Sequence, residues 1–148
     1  MWGLGAGAEI TGKLGGMSSK AGATPEETVR MLDEAFNRGD VDGVVSFYED
    51  GAVVTAGPTA IVRGAVEVRK FFEQVLQAGG KATELKTRVI EVDELALYLS
   101  RWTLEYRGSS GEELARQFSA ISVMRRQATG EWKLVIDNAF GLMVLGAE

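Results

Sequence analysis

Cysteine and histidine are both absent from the 148 residues of this chain. Without cysteine the chain forms no disulfide and offers no thiolate to a metal. Without histidine it has no imidazole to act as general base, as metal ligand or as activator of a serine or cysteine nucleophile. We therefore expect no metal and no cofactor. Asp and Glu side chains are the first candidates for any acid–base chemistry.

Positive charge is in the minority. The chain has 16 Lys and Arg residues and 21 Asp and Glu residues, for a net charge of -5. No basic stretch interleaves with aromatic residues, so we expect no nucleic-acid partner. No apolar run approaches the roughly 20 residues that span a bilayer. We therefore expect no membrane association and a cytoplasmic location.

Residues 1–23 differ in composition from the rest of the chain. Glycine recurs at positions 3, 5, 7, 12, 15, 16 and 22, with no hydrophobic period. Such a segment has little apolar surface to offset the entropy lost on ordering. We predict a flexible, dispensable tail at residues 1–23 and one folded domain at residues 24–148. The alternative is a segment that packs on a partner chain.

The first part of the domain shows helical patterns. Residues 24–27 read Thr-Pro-Glu-Glu, a capping box with proline at the first helical position. A short second helix is expected over Val41–Tyr48, after an aspartate that can cap it. A third is expected after Gly64, where apolar residues recur at helical spacing.

The remaining pattern predicts strands. Ala52–Thr55 and Ile61–Val62 form a hairpin-like pair, followed by strands at Leu85–Val92, Leu95–Arg107 and Leu114–Gln127 and a last strand between Gly130 and Gly141. Tight turns between consecutive strands indicate an antiparallel meander. The predicted fold class is α+β, a cone-shaped curved antiparallel sheet with helices packed on its concave face.

Three stretches carry a family resemblance. Residues 36–54 read FNRGDVDGVVSFYEDGAVV, residues 62–72 read VRGAVEVRKFF and residues 130–141 read GEWKLVIDNAFG. Together with the element order, they resemble the nuclear-transport-factor-2-like superfamily, also called SnoaL-like or ketosteroid-isomerase-like. Uncharacterised bacterial YybH-like proteins and the calcium/calmodulin-dependent kinase association domain are similar. The resemblance implies the cone fold, but its members include several enzyme classes and non-enzymatic association domains, so it implies no single activity.

The resemblance carries over few catalytic residues. It places Ala56 where ketosteroid isomerases hold their general-base Asp, Leu32 at their helix-one Tyr, and their oxyanion Asp near Ser122. The last-strand Asp of epoxide hydrolases falls at Asn138. Chemistry like that of scytalone dehydratase needs a histidine, which this chain lacks.

The last strand holds two adjacent polar candidates, Asp137 and Asn138, which point to opposite faces. By alternation Asn138 shares a face with the largest apolar groups, so we predict Asn138 in the cone and Asp137 outside it. An amide in the cone can donate and accept hydrogen bonds at once. Asp137 is the first candidate for a catalytic carboxylate. Its alternative interpretation is an outer-face Asp paired with Arg101 or Lys133.

The predicted ligand-binding residues share the inner face of neighbouring strands or reach the cavity mouth. They are Asn138, Trp102, Tyr98, Ser100, Ser122, Phe118, Arg116, Trp132, Phe140 and Tyr48. Arg116 favours an anionic ligand if its side chain points inward. Trp102 and Trp132 have the alternative interpretation of plain core residues.

The opposite face of the same strands is aliphatic, with Leu97, Leu99, Ile121, Val123 and Val135. This face is too apolar for open solvent, so we predict a homodimer through the outer sheet face. For function, the sequence favours binding of a small apolar or weakly polar molecule in the cone. The alternatives are an isomerase, polyketide-cyclase-like enzyme or hydrolase that uses a carboxylate, and a non-enzymatic association module.

Overall fold

The structure, a computed structural model, describes residues 22–146. The predicted tail at residues 1–23 lies outside the described residues, except for Gly22 and Ala23. The elements in chain order are α1 (Pro25–Asn37), α2 (Val41–Val45), β1 (Tyr48–Gly57), β2 (Ala60–Arg63), α3 (Gly64–Gln77), β3 (Lys81–Val92), β4 (Leu95–Arg107), β5 (Glu113–Arg126), β6 (Trp132–Asp137) and a 3-10 helix (Gly141–Leu145). Within the described part of the chain, no helix is long and apolar enough to cross a membrane.

The six strands form one open sheet in the order β2-β1-β6-β5-β4-β3. The α+β class is therefore confirmed, with helices α1 and α3 packed on one face of the sheet. The sheet is mixed rather than purely antiparallel, because β1 pairs with β6 in parallel. Tight turns fix the antiparallel direction only of strands that follow each other, and most of the domain separates β1 from β6.

The capping box at the start of α1 is present as predicted. The Thr24 hydroxyl accepts a hydrogen bond from the Glu27 amide at 3.1 Å. The Glu27 carboxylate in turn accepts one from the Ala23 amide at 3.0 Å. These bonds satisfy backbone donors at the helix start, which have no partner within the helix.

Strand β1 begins at Tyr48, earlier than the predicted Ala52, and α2 correspondingly ends at Val45. Asp50 and Gly51, a pair that favours a turn, lie within this strand. The strand pairs with β6 at Tyr48 and again at Val53, and the pairing is irregular between those two positions. Pairing in the middle of the sheet thus overrides the local turn preference of the Asp-Gly sequence.

Strand β6 carries a β-bulge. Met124 of β5 pairs with Leu134, but the next residue, Val123, pairs with Ile136. Val135 is therefore the extra residue, opposed to no single partner on β5. A bulge of this kind reverses the alternation of side chains beyond it. Ile136 accordingly lies on the outer face and is 43% exposed.

Gly22 anchors the start of the domain to α1 and β6. Its carbonyl accepts a hydrogen bond from the Trp132 amide at 3.0 Å, and its amide donates to the Thr28 hydroxyl at 2.8 Å. The buried Thr28 hydroxyl also donates to the Trp132 carbonyl at 2.9 Å. Gly22, which the sequence analysis assigned to the tail, is thus bonded to two elements of the domain.

We predict different outcomes for two truncations of the N-terminal segment. Deletion of residues 1–20 should change the melting temperature by less than about 5 °C, on the order of 1 kcal/mol. Deletion of residues 1–23 removes both bonds of Gly22 and leaves buried polar groups without partners. It should therefore lower the unfolding free energy by a further 1–3 kcal/mol or so, measured by urea denaturation. Equal stabilities of the two truncated proteins would contradict the anchoring role of Gly22.

Candidate functional site

A cavity of about 250 Å³ lies between the concave face of the sheet and helices α1 and α3. Most of its lining is apolar, including seven aromatic side chains: Phe36, Tyr48, Phe71, Phe72, Tyr98, Trp102 and Phe140. The polar lining side chains are Asp33, Thr55, Glu84, Ser100, Ser122 and Asp137. The cavity is thus an apolar enclosure with a few polar groups, the usual composition of a small-molecule site.

Asp137, at the end of β6, places its carboxyl group in the cavity. One carboxylate oxygen, Oδ2, accepts a hydrogen bond from the Tyr48 hydroxyl at 2.5 Å, and Oδ1 accepts one from the Ser122 hydroxyl at 3.1 Å. Burial raises the pKa of Asp137 above its usual range, and the bonds from Tyr48 and Ser122 offset part of that shift. The site therefore holds a buried carboxyl of fixed orientation.

The prediction that Asn138 faces the cavity and Asp137 the outside is wrong. The Asn138 side chain does not line the cavity and bonds its surroundings instead. Its amide nitrogen donates to the Gly141 carbonyl at 3.1 Å, and its amide oxygen accepts from the Phe140 amide at 3.3 Å. The physical reason is the bulge at Val135, which shifts the phase of β6 by one residue.

Six other predicted residues do line the cavity, namely Tyr48, Tyr98, Ser100, Trp102, Ser122 and Phe140. The regular alternation of β4 and β5 places Tyr98, Ser100, Trp102 and Ser122 on the inner face, as the sequence predicted. Trp102 is held in place by its indole N–H, which donates to the Ala139 carbonyl at 2.9 Å.

Phe118, Trp132 and Arg116 are not part of the cavity wall, contrary to prediction. Phe118 is buried behind the wall, with its ring 5.1 Å from that of Trp102 and 5.2 Å from that of Phe140. Trp132 is a core residue, only 3% exposed. Arg116 lies close to the exposed end of β5, with its guanidinium 5.0 Å from the Phe118 ring. In the described part of the chain, no arginine side chain therefore lines the cavity to bind an anion.

Two further carboxyl groups line the cavity, Asp33 on α1 and Glu84 on β3. Neither was predicted from the sequence. Asp33 had a detectable signal, because it lies four residues after Val29 and three before Phe36, on the apolar stripe of its helix. Glu84 precedes the predicted start of its strand at Leu85 and therefore lay outside the predicted elements. Strand β3 in fact begins at Lys81.

Asp33 and Glu84 share a hydrogen bond and face the same cavity. Burial raises the pKa of Asp33 to about 9, with further contributions from the charge and hydrogen bond of Glu84 and from the charge of Asp137. The Tyr98 hydroxyl also donates to Glu84, at 3.4 Å. Near neutral pH Asp33 therefore keeps its proton.

The sequence of this chain matches a protein-family profile. The profile of the SnoaL-like domain matches residues 29–135, well over half of the chain. The chain belongs to the SnoaL-like family. The matched region runs from the first helix to the last strand and contains most of the cavity wall. None of the curated proteins matches this SnoaL-like protein in sequence.

Solved structures share the fold of this SnoaL-like protein. A candidate calcium/calmodulin-dependent protein kinase type II association domain from Thiobacillus denitrificans superposes with a TM-score of 0.66 and 22% identity, covering 80% of this chain and 95% of that chain. A candidate scytalone dehydratase from Novosphingobium aromaticivorans has a TM-score of 0.69 and 12% identity, covering 86% and 85%. A candidate dehydratase of the NTF2-like family from Streptomyces avermitilis has a TM-score of 0.66 and 17% identity, covering 74% and 87%. At these identities the likeness establishes the fold alone.

The raised pKa of Asp33 predicts a pH-dependent stability. Folding raises this pKa from 3.8 to about 9, so the folded state keeps a proton that the unfolded state loses between these values. The contribution of Asp33 is fully present below about pH 4 and is lost as the pH rises towards 9. We expect Asp33→Asn to raise the unfolding free energy at pH 8 by about 1–3 kcal/mol and to leave little difference near pH 4.

Urea denaturation at both pH values measures this effect. Glu73→Gln is the matched control, because Glu73 is exposed on α3 and is not among the groups that raise the pKa of Asp33. The control should follow the wild-type pH dependence. An Asp33→Asn variant whose pH dependence also equals that of the wild type would contradict the assignment.

Proposed function

We propose that this protein binds a small, mostly apolar molecule in the cavity and that Asp137 transfers a proton to or from it. The observation that carries the proposal is the Asp137 carboxyl, buried in an apolar enclosure and held by Tyr48 and Ser122. From the sequence alone, simple binding ranked above catalysis because Asp137 was expected outside the cone. Its position in the cavity favours the carboxylate enzyme over a passive binding protein.

The lining supports the binding part of the proposal. The aromatic and aliphatic side chains offer apolar surface that a ligand can cover, at a gain of roughly 25 cal/mol per Å². Thr55, Ser100 and Ser122 provide hydroxyl groups that orient a ligand by hydrogen bonds. An apolar ligand with one or two polar groups fits this composition best.

The surroundings of Asp137 support the catalytic part. A general base works best when its pKa lies near the operating pH, and burial moves the pKa of this carboxyl in that direction. As base, the ionised carboxylate removes a proton from a carbon next to a carbonyl group, and the electron pair of the C–H bond forms an enolate. The protonated carboxyl can return that proton to another carbon, which isomerises the molecule. Tyr48 and Ser122 hold the carboxylate in one orientation throughout.

Proton abstraction can be tested without knowledge of the physiological substrate. A panel of small cyclic ketones in deuterium oxide reports it as loss of the α-proton signals in NMR spectra. We expect exchange catalysed by the wild type, reduced about 10²- to 10⁴-fold in Asp137→Asn. Asp50→Asn, an exposed acidic residue of β1, is the matched control and should exchange at the wild-type rate.

The same samples separate binding from catalysis. Shifts of the Tyr98 and Trp102 resonances on ketone addition report occupancy of the cavity. Shifts without exchange would overturn the catalytic role and leave a binding protein. Equal exchange by wild type and Asp137→Asn would remove Asp137 from the mechanism.

We also propose that two copies associate through the outer face of the sheet. One row of apolar side chains crosses four strands in register, from Ile90 through Leu97 and Val123 to Ile136. Leu99 and Ile121 pair with each other directly beside this row. Ile90 is 56% exposed and Ile136 is 43% exposed, so this face is incompletely covered in the single chain. An isologous contact between two such faces would cover both.

Light scattering tests the dimer. We expect twice the chain mass of 15.9 kDa for the wild type and a single chain mass for Ile121→Arg, because the new charge would be buried at the contact. Gln74→Arg adds the same side chain to an exposed position of α3 and should remain dimeric. A wild-type monomer at micromolar concentration would refute the dimer. A much larger assembly would favour the association-module alternative.

A further inference from the structure

The cavity has a one-sided charge composition. Asp33, Glu84 and Asp137 line it, and among residues 22–146, which the structure describes, no Lys or Arg lines it. The ion pairs of the described residues all lie elsewhere, and none includes any of these carboxyl groups. Buried carboxylates without a cation are costly, and here the proton of Asp33 and the hydrogen bonds to Asp137 offset that cost. A positively charged ligand would take the place of the Asp33 proton.

The three carboxyl groups have two separate sets of contacts in the enclosure. Asp137 accepts hydrogen bonds from Tyr48 and Ser122. Asp33 and Glu84 contact each other instead, and Glu84 accepts a hydrogen bond from the Tyr98 hydroxyl. Asp137 can therefore act on a reacting atom while Asp33 and Glu84 hold a charged group of the same ligand.

Aromatic rings supply the remaining part of a cation site. Tyr98 and Phe36 line the cavity together with Asp33 and Glu84, and further aromatic rings continue the wall. The faces of aromatic rings attract organic cations, and an aromatic cage is the usual receptor for quaternary ammonium groups. Aromatic faces combined with carboxylates favour an organic ammonium ion over a neutral ligand of equal size.

The protein surface next to the cavity is also negatively charged. A surface depression of about 400 Å³ shares four lining residues with the cavity, namely Asp33, Ala82, Glu84 and Tyr98. These residues therefore lie between the cavity and the depression. Glu26 and Glu34 also line the depression. Its single lysine or arginine, Arg30, is paired with Glu27 and Glu34. Acidic side chains therefore surround Asp33 and Glu84 on the side of the depression. Their negative charge attracts cations.

We infer that the ligand of this cavity carries an organic ammonium group, bound between Asp33 and Glu84 and against the aromatic wall, with the apolar remainder directed towards Asp137. The inference rests on the proposed function only in taking the cavity as the binding site. It names a charge class for the ligand and holds whether or not Asp137 performs chemistry.

Three molecules of nearly equal shape test the inference. Choline carries a permanent positive charge, 3,3-dimethylbutan-1-ol is its neutral isostere and 3,3-dimethylbutanoate is an anionic analogue. Each is titrated into the full-length protein at pH 7 and fixed ionic strength, and NMR shifts of Tyr98 and Trp102 report binding in the cavity. We expect choline to bind at least about 10-fold more tightly than the alcohol, and the anion to bind most weakly.

Removal of the two carboxylates should abolish this preference. In D33N/E84Q we expect the dissociation constant of choline to rise about 10-fold and that of the alcohol to change less than about twofold. Glu91→Gln removes a charge from an exposed position of β3, the strand that holds Glu84, and should change neither dissociation constant. Should the double variant fold poorly, Asp33→Asn and Glu84→Gln singly provide the same comparison.

Proton release is an independent readout. A bound cation lowers the pKa of Asp33, so choline binding at pH 7 should release protons and strengthen as the pH rises towards 9. Other titratable or charged groups near this pair are Glu26, Arg30, Glu34, Tyr98, Asp137 and Tyr48. Calorimetry in two buffers of different ionisation enthalpy measures the released protons, and D33N/E84Q should release none.

Several results would overturn the inference. Equal affinity for choline and the alcohol would show that charge does not select the ligand, and would leave the proposed binding of apolar molecules intact. No shift at Tyr98 or Trp102 with choline up to about 10 mM would exclude an ammonium site here. Ketone binding that is lost together with choline binding in D33N/E84Q would instead indicate a collapsed cavity.

Discussion

Strand β6 is constrained on both sides, by parallel pairing with β1 and antiparallel pairing with β5. Between Leu134 and Ile136 it contains one residue more than the β5 segment that it faces. This extra residue, Val135, lets Leu134 and Asp137 point to the same side although they are three residues apart. In a regular strand they would point to opposite sides. The buried carboxyl and its bonds to Tyr48 and Ser122 exist because of this single insertion.

The electrostatics of the cavity follow from which carboxyl groups are buried and what they contact. A buried carboxylate costs several kcal/mol unless hydrogen bonds or a cation compensate it. Asp137 is compensated by two hydroxyl donors, whereas Asp33 keeps a proton beside Glu84. The two arrangements thus avoid the cost of a buried negative charge in different ways. Both arrangements meet in one enclosure, where each influences the pKa of the other.

The candidate site was predictable where strands are long and regular. Tyr98, Ser100, Trp102 and Ser122 face the cavity because β4 and β5 pair without interruption over their length. The alternation of side chains predicts the face of a residue but not its position along the cavity wall. Phe118 lies behind the wall and Arg116 lies near an exposed strand end, although both were assigned to the inner face. Asp33 lies on the apolar stripe of α1, but a carboxylate there is often tolerated at the edge of a core and does not by itself indicate a site. Only the position of Glu84 opposite it identifies the pair.

The sequence by itself determined the element order, the α+β class, the capped first helix and the two faces of β4 and β5. Each of these depends on local preference or on periodicity within one segment. The tertiary structure decided the parallel pairing of β1 with β6, the bulge at Val135 and the meeting of Asp33, Glu84 and Asp137. These features join segments that are distant in the chain, and no period within one segment records them. A one-residue change of register is invisible in the sequence, yet it exchanges Asn138 for Asp137 at the cavity.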